Sequence, residues 1–405
     1  MNNGWQQKQL GELAELKGRI GWRGLTAKEY TKSGPLFLSV HSLNYGDYVD
    51  FRDAFHISEH RYTESPEIML RRDDVLICKD GAGIGKVGIV GQLPDRATVN
   101  SSLLVIRSGR QILPKFLYHC LSSPYFQEIV NSRLNGATTP HLYQRDITEF
   151  PIVLPPLSEQ QRIVRILDEA FEGIATAKAN AEKNLRNARA VSESHTESVF
   201  RKRGSGWVEK RLGEIATFRN GINFTKSSRG ESVRIVGVKD FQNNFWAPLD
   251  DLETAITDGR LPDSDTLKEN DILFVRSNGN IELIGRCVLV GPITDRITHS
   301  GFTIRARLNG CGLSPRFLCH YLKSAKTRKE MVDSGIGTNI KSLSQGTLSA
   351  LVIPFPPIAD QTQIVEQLES LKQDTKHLES IYQRKIAALD ELKKSLLHQA
   401  FSGKL

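Results

Sequence analysis

Apolar residues follow two rhythms along this chain. Short apolar or alternating runs at residues 36–40, 74–78, 87–90 and 103–107 lie between clusters of Gly, Pro, Asn and Asp. Such runs bounded by turn residues predict strands. Residues 114–121 (PKFLYHCL), with proline in the first turn, predict a short helix. The same grammar returns at 233–238, 271–275, 286–290 and 302–305, followed by a second short helix at 315–322 (PRFLCHYL). Each series closes on prolines, at 151–156 and 354–357, which favour extended chain and bar helix just before them.

The second rhythm begins after each proline stretch. Alternate steps of four and three from Ile163 reach Leu167, Ala170, Ile174, Ala177, Ala181, Asn184, Ala188, Val191 and His195. From Ile364 they reach Leu368, Leu371, Thr375, Leu378, Tyr382, Lys385, Leu389, Leu392 and Leu396. These are two heptad seams, one rich in alanine and one in leucine, so small and large side chains can interdigitate. Polar Asn184 and His195 would set register there. Helices this long exceed what one small head can cover, so they are expected to pack on each other.

The chain is written twice. Trp5-Gln-Gln-Lys-Gln-Leu-Gly-Glu-Leu-Ala14 returns as Trp207-Val-Glu-Lys-Arg-Leu-Gly-Glu-Ile-Ala216. Leu154-Pro-Pro-Leu-Ser-Glu-Gln-Gln-Arg-Ile-Val164 returns as Phe355-Pro-Pro-Ile-Ala-Asp-Gln-Thr-Gln-Ile-Val365, 201 positions on. A period near 200 is a repeated domain with its helix rather than a solenoid. The first helix ends where the second head begins, so equivalent docking of both heads requires antiparallel helices. The expected fold is α+β: two similar mixed α/β heads joined by two long antiparallel helices forming a coiled coil, with pseudo-two-fold symmetry. The boundaries read 1–157, 158–203, 204–357 and 358–405.

A net charge of +8 favours polyanionic partners, although no segment is purely basic. The five cysteines form no CxxC pair, which argues against a disulfide framework or a structural zinc site. No secretory signal and no membrane-length apolar run are evident, so the expected compartment is a reducing cytoplasm.

Enzymatic chemistry is hard to find. Asp80-Gly-Ala-Gly-Ile-Gly-Lys86 imitates a phosphate loop, but its lysine spacing is one residue short and Val87 stands where a hydroxyl should bind magnesium. A glycine-rich turn is the better reading. Pro262-Asp-Ser-Asp265-Thr-Leu-Lys268 imitates a nuclease metal site with one residue too many before the lysine. No nucleophile elbow or paired histidine ligands occur, so no catalytic residue, metal or cofactor is expected.

Taken together, the doubled Trp-x-x-x-x-Leu-Gly-Glu opening, the doubled Pro-Pro-x-x-Glu/Asp-Gln-x-x-Ile-Val hinge and the ending Ser395-Leu-Leu-His-Gln-Ala-Phe-Ser-Gly-Lys-Leu405 resemble the DNA specificity (S) subunit of type I restriction–modification systems. The likeness runs the whole length. Gly136-Ala-Thr-Thr-Pro-His-Leu142 and Gly337-Thr-Asn-Ile-Lys-Ser-Leu343 look like that family's DNA-facing loop, the first departing at Pro140 and His141. The resemblance implies a non-catalytic subunit whose two target-recognition domains, 1–157 and 204–357, each read half of a split site in double-stranded DNA. It further implies that the helices space the heads and dock two modification (methyltransferase) subunits, with ATP-dependent restriction subunits completing the complex. About 37 seam-covered residues span roughly 55 Å, or roughly 16 base pairs between head attachments.

Base readout needs Arg, Lys, Asn, Gln or His on loops that can enter a groove. The candidates in the first head are Arg19, Trp22, Arg23, Lys79, Lys86, Thr138, Thr139, His141, Tyr143 and Arg145. Those in the second are Arg219, Asn220, Asn223, Lys226, Arg276, Asn278, Asn280, Arg286, Asn339 and Lys341. Any one alone also reads as a solvated surface residue; their matched loop positions favour a shared DNA-facing role. Arg162, Arg165, Arg186 and Arg189 on the first helix read either as solvated charge or as docking contacts. Two alternatives stay open: a specificity chain serving a fused nuclease–methyltransferase, and a scaffold that joins two proteins without DNA.

Overall fold

The computed structural model describes residues 4–19, 25–81, 83–134, 141–225, 227–310, 312–333 and 342–405. The chain divides into two compact units, Met1–Glu182 with Gln383–Leu405, and Lys183–Tyr382.

In the first unit, strands β1 (Gln6–Gln9), β2 (Ala14–Lys17), β3 (Tyr30–Leu38), β4 (Phe55–Ile57), β5 (Val75–Cys78), β6 (Val87–Ile89), β7 (Ala97–Val99), β8 (Leu103–Ser108) and β9 (Pro151–Leu154) form three sheets. These are an antiparallel β2-β8-β5-β6 sheet, a β4-β3-β7 sheet with β3 and β7 parallel, and the pair β1-β9. Alternation places Val75, Ile77, Leu104 and Ile106 in one apolar cluster, and Leu76, Cys78, Leu103 and Val105 in another. Both faces of the inner strands β5 and β8 are buried, which is why residues 75–78 and 103–106 read as unbroken apolar runs. Helices α1 (Leu10–Leu13), α2 (Glu59–Thr63), α3 (Pro114–Leu121), α4 (Pro124–Leu134) and α5 (Gln144–Thr148) precede the long α6 (Leu157–Arg201).

The second unit repeats this plan. Strands β10 (Val208–Arg211), β11 (Ala216–Asn220), β12 (Ser232–Val236), β13 (Glu253–Ile256), β14 (Ile272–Val275), β15 (Cys287–Leu289), β16 (Ile297–His299), β17 (Thr303–Leu308) and β18 (Val352–Phe355) form sheets β11-β17-β14-β15, β13-β12-β16 and β10-β18. Its helices are α7 (Leu212–Ile215), α8 (Pro315–Lys323), α9 (Ala325–Asp333), α10 (Gln345–Ala350) and the long α11 (Ile358–Phe401).

The opening motif is structural. Leu10 and Leu212 are fully buried. Glu12 caps its helix by accepting from the Gln9 amide at 3.0 Å, and Glu214 does the same for Arg211 at 3.3 Å. The glycine permits close packing: a Cβ on Gly11 would meet Thr148 Cγ2 at 2.4 Å, and one on Gly213 would meet Ser349 Cβ at 2.9 Å.

The hinge motif is a clasp. Gln160 is completely buried; its Oε1 accepts from the Leu113 amide, and its Nε2 donates to the Gln111 and Pro155 carbonyls, all at 2.9 Å. Gln361 makes the same three bonds, to the Ser314 amide (2.7 Å), the Gly312 carbonyl (2.9 Å) and the Pro356 carbonyl (2.7 Å). A glutamine side chain thus fastens each long helix to the loop that ends the central sheet.

Within each unit the two long helices run antiparallel side by side. In the first, Ile163, Leu167, Phe171 and Ile174 share a core with Leu397 and Ala400, and Phe401 meets Phe116 edge-on at 5.2 Å. In the second, Phe200 meets Phe317 at 5.6 Å in a core shared with Val365 and Leu368. The strict heptad does not hold. Asn184, Val191 and His195 are exposed, whereas Leu185, Ala188, Ser192 and Thr196 turn inward; likewise Leu378, Lys385 and Leu392 are exposed beside inward Glu379, Ile386 and Lys393. The inward stripe recurs every eleven residues, at 163, 174, 185 and 196 and at 364, 375, 386 and 397. That is 3.67 residues per turn, close to a straight helix, whereas a strict heptad requires under-winding. Asn184 and His195 therefore cannot act as buried register residues. No described helix is long and apolar enough to cross a membrane, and the four described cysteines are buried free thiols.

Candidate nucleic-acid interface

Each central sheet has a clasped end and a free end. β8 leads from Leu103 toward the Gln160 clasp, and β17 leads from Thr303 toward the Gln361 clasp. The opposite end gathers the loops after β2 and β5 and before β6 and β8, with their counterparts in the second unit. Most described candidates lie there.

In the first unit the Lys79 amide donates to the Ser102 carbonyl, and the Lys79 carbonyl accepts from the Leu142 amide. This brings residues 141–145 beside the end of β5. His141 bridges to Asp80 through both backbone and side chain, and its ring meets that of Tyr143 edge-on at 4.6 Å. Tyr143 is 55% exposed, and the Arg145 guanidinium lies 5.4 Å over its ring. Lys79 Nζ also lies 3.8 Å from Asp80, so Lys79 and His141 gather on one carboxylate beside the exposed Tyr143 and Arg145. The described residues 83–86 of the glycine-rich stretch turn back, as expected: the Gly85 amide donates to the Cys78 carbonyl and the Lys86 amide to the Gly83 carbonyl.

Further cations of the first unit depart from the expectation of free loop charges. The Arg19 side chain is only 5% exposed and pairs with Glu64 at 3.6 Å; burial first, then the neighbouring Arg61 guanidinium, lowers its basicity. The Lys86 Nζ donates to Asn44 Oδ1 at 2.6 Å, tying the turn to a neighbouring loop.

The second unit reproduces the backbone and changes the side chains. The Arg276 amide donates to the Phe302 carbonyl, and its carbonyl accepts from the Leu343 amide, matching Lys79. Residues 222–224 run beside 300–302 through an Ile222–Ser300 bridge and a bond from the Gly301 amide to the Ile222 carbonyl. Asn220 accepts from Gln345 Nε2 at 3.0 Å, Asn223 is exposed, and Arg219 pairs with Asp265. Asn278 and Asn280 accept from the Asn280 and Glu282 amides, so they shape the turn that opens the one-turn helix Ile281–Leu283. Arg286, the counterpart of Lys86, donates to the Glu282 and Gln242 carbonyls and stitches loops together.

Sequence reasoning missed the aromatic partners here. Phe302 is 61% exposed and Phe224 is 44% exposed, both at the free end. A bare phenylalanine before a strand reads as core, and only its exposure reveals it. Trp22, Arg23, Thr138, Thr139, Lys226, Asn339 and Lys341, with residues 136–140 and 337–341 of the glycine–threonine loops, lie outside the described residues.

The acids that imitate a nuclease site are paired with arginines: Asp263 with Arg296 at 2.5 Å, and Asp265 with Arg219. Among the described residues, no three His, Cys, Asp or Glu side chains gather where they could hold a metal.

Comparison with known proteins matches the type I restriction modification DNA specificity domain twice, over residues 2–185 and 204–387. The EcoKI specificity subunit of the Escherichia coli K12 type I restriction enzyme is 24% identical over 99% of this chain and 89% of its own. The StySPI specificity subunit of Salmonella potsdam is 22% identical over the same shares. Among solved structures, a chain from a study of complex assembly and conformational transition of the type I R-M system superposes with a TM-score of 0.80 at 19% identity, covering 100% of this chain and 99% of that one. The HsdS subunit from Thermoanaerobacter tengcongensis gives 0.63 at 19% identity, covering 100% and 98%.

Proposed function

This chain belongs to the type I restriction–modification DNA specificity family, and we propose that it is the non-catalytic subunit that directs such a complex to a bipartite site in double-stranded DNA. Residues 1–157 and 204–357 serve as target-recognition domains, each reading one half-site. The long helices set the gap and dock two modification subunits, with restriction subunits completing the assembly.

One observation carries the reading. The two heads share strand order, clasp and opening motif, yet their free ends present different chemistry on matched backbone. Lys79, His141, Tyr143 and Arg145 occupy one; Asn220, Asn223, Phe224, Arg276 and Phe302 occupy the other. Two equivalent supports with two different tips suit two different half-sites. Arginine and lysine supply phosphate contacts and purine readout, asparagine and histidine read base edges, and exposed rings pack against bases or sugars. Arg19, Lys86, Asn278, Asn280 and Arg286 act behind this surface by shaping the loops.

Fluorescence anisotropy on duplex DNA tests the reading, with the chain alone and with a cognate modification subunit. Binding should weaken steeply with salt and strengthen with the partner. Salt-independent or absent binding by a folded complex would favour the protein-scaffold alternative.

A further inference from the structure

Among the described contacts, two ion pairs join the long helices, one in each unit. In the first unit Lys178 Nζ lies 2.7 Å from Asp390 Oδ1 and 2.9 Å from Oδ2. In the second, Arg189 Nε lies 2.7 Å from Glu379 Oε1. Advancing each α6 residue by the 201-residue repeat turns Lys178 into Glu379 and Arg189 into Asp390. The two bridges are therefore the same contact made twice, with both cations on α6 and both anions on α11.

This arrangement bears on a choice that a duplicated chain must make. Each half carries a head and one long helix, and each helix has nearly the same inward stripe. Nothing in the stripe's spacing alone stops α6 from pairing with α6 of a second copy, or α11 with α11. In the antiparallel register of the observed bridges, such self-pairing would set Lys178 against Arg189 and Glu379 against Asp390. Both contacts would join like charges.

We propose that Lys178, Arg189, Glu379 and Asp390 form a partner code that admits pairing of α6 with α11 and rejects pairing of either helix with its own copy. Exposed ion pairs contribute little to stability, but like-charge contacts discriminate between otherwise similar partners. The inference does not rest on DNA binding.

One double variant separates the code from simple stabilisation. K178E/D390K keeps both α6–α11 contacts attractive. It also makes both self-pairings attractive, because one charge on each helix has been reversed. The test uses the full chain carrying a protease site in the exposed 203–206 linker. The protein is purified intact, cleaved, allowed to exchange, and weighed by native mass spectrometry. The wild-type chain should give only the mixed pair of halves. The double variant should add self-paired halves, with an exchange constant raised about a hundredfold, from four contacts at roughly threefold each. The quadruple variant K178E/R189E/E379K/D390K, which swaps the whole code, should return to the mixed pair alone. Identical exchange by wild type and double variant overturns the proposal, as does a quadruple variant that self-pairs like the double.

Discussion

The two clasp glutamines give the sharpest test of how the heads are held. Gln361 is fully buried, and its side chain makes three hydrogen bonds to backbone groups of Ser314, Gly312 and Pro356. Each is worth about 1 kcal/mol net, and each backbone group left unpaired in the interior costs about 1–3 kcal/mol. Gln361→Leu keeps the volume and recovers about 1 kcal/mol of apolar burial. Three such groups at about 1.3 kcal/mol each, near the low end of that range, less this recovery leave a loss of about 3 kcal/mol. For a unit of some 200 residues that lowers the transition midpoint by roughly 6–12 °C. Calorimetry measures the shift, and hydrogen exchange of the α8 amides locates it. Gln160→Leu should place the same loss in the first unit, with protection lost at the start of α3. Gln361→Glu should be at least as damaging at neutral pH, because carboxylate oxygens would face the Gly312 and Pro356 carbonyls. A shift below about 2 °C for Gln361→Leu, or exchange unchanged at α8, would refute the clasp.

Further outcomes follow from the same geometry. Burial holds His299 and His320 neutral, each pushed down to about 3, with nearby arginines and lysines reinforcing the effect despite Glu369 lying 3.6 Å from His320. Unfolding lets both protonate near 6.5, so the second unit should lose stability as pH falls from about 6.5 toward 3, by up to about 1.4 kcal/mol per pH unit per histidine. Acid titration followed by circular dichroism checks this, and His299→Gln should flatten the slope. In the helix stripe, Leu392→Lys at an exposed position should change stability by less than about 0.5 kcal/mol, whereas Leu397→Ala at an inward one should cost about 2–4 kcal/mol; a strict heptad would make Leu392 the costlier site. Arg145→Ala should reduce the slope of log affinity against log salt by about 0.9. Phe302→Ala should weaken DNA binding by about 1–3 kcal/mol, measured by anisotropy, without altering that slope.

Much of this architecture was legible because the chain states its structural parts twice. The Leu-Gly-Glu opening and the hinge glutamine recur because each performs a local task, a cap, a close approach or a buried clasp, that neither head can omit. The strand runs at 74–78 and 271–275 were readable since both sheet faces are buried. The seam was readable as a stripe, but its register depended on helix winding, and a seven-residue template drifts off a nearly straight helix by one position near Ala181 and Leu378. Some pairings were invisible for a different reason. Arg107 with Asp74 and Arg307 with Asp271 make matched bidentate bridges at 2.7–2.8 Å, joining residues more than thirty positions apart that carry no motif. Of the candidates chosen by residue type, His141, Tyr143, Arg145 and Arg276 do lie at the free ends of the sheets. Residue type did not foretell the burial of Arg19, whose acidic neighbours Glu64, Glu67 and Glu29 are remote in sequence, or the exposure of Phe302, which no apolar pattern signals.

Methylation mapping by single-molecule sequencing, in cells expressing this chain with a cognate modification subunit, decides whether each head reads its own half-site. We predict a split, adenine-methylated motif that requires both proteins. Substitutions at Tyr143 and Arg145 should change one half of the motif, and those at Arg276 and Phe302 only the other. A motif whose halves change together, or no motif from a folded complex, would contradict the account.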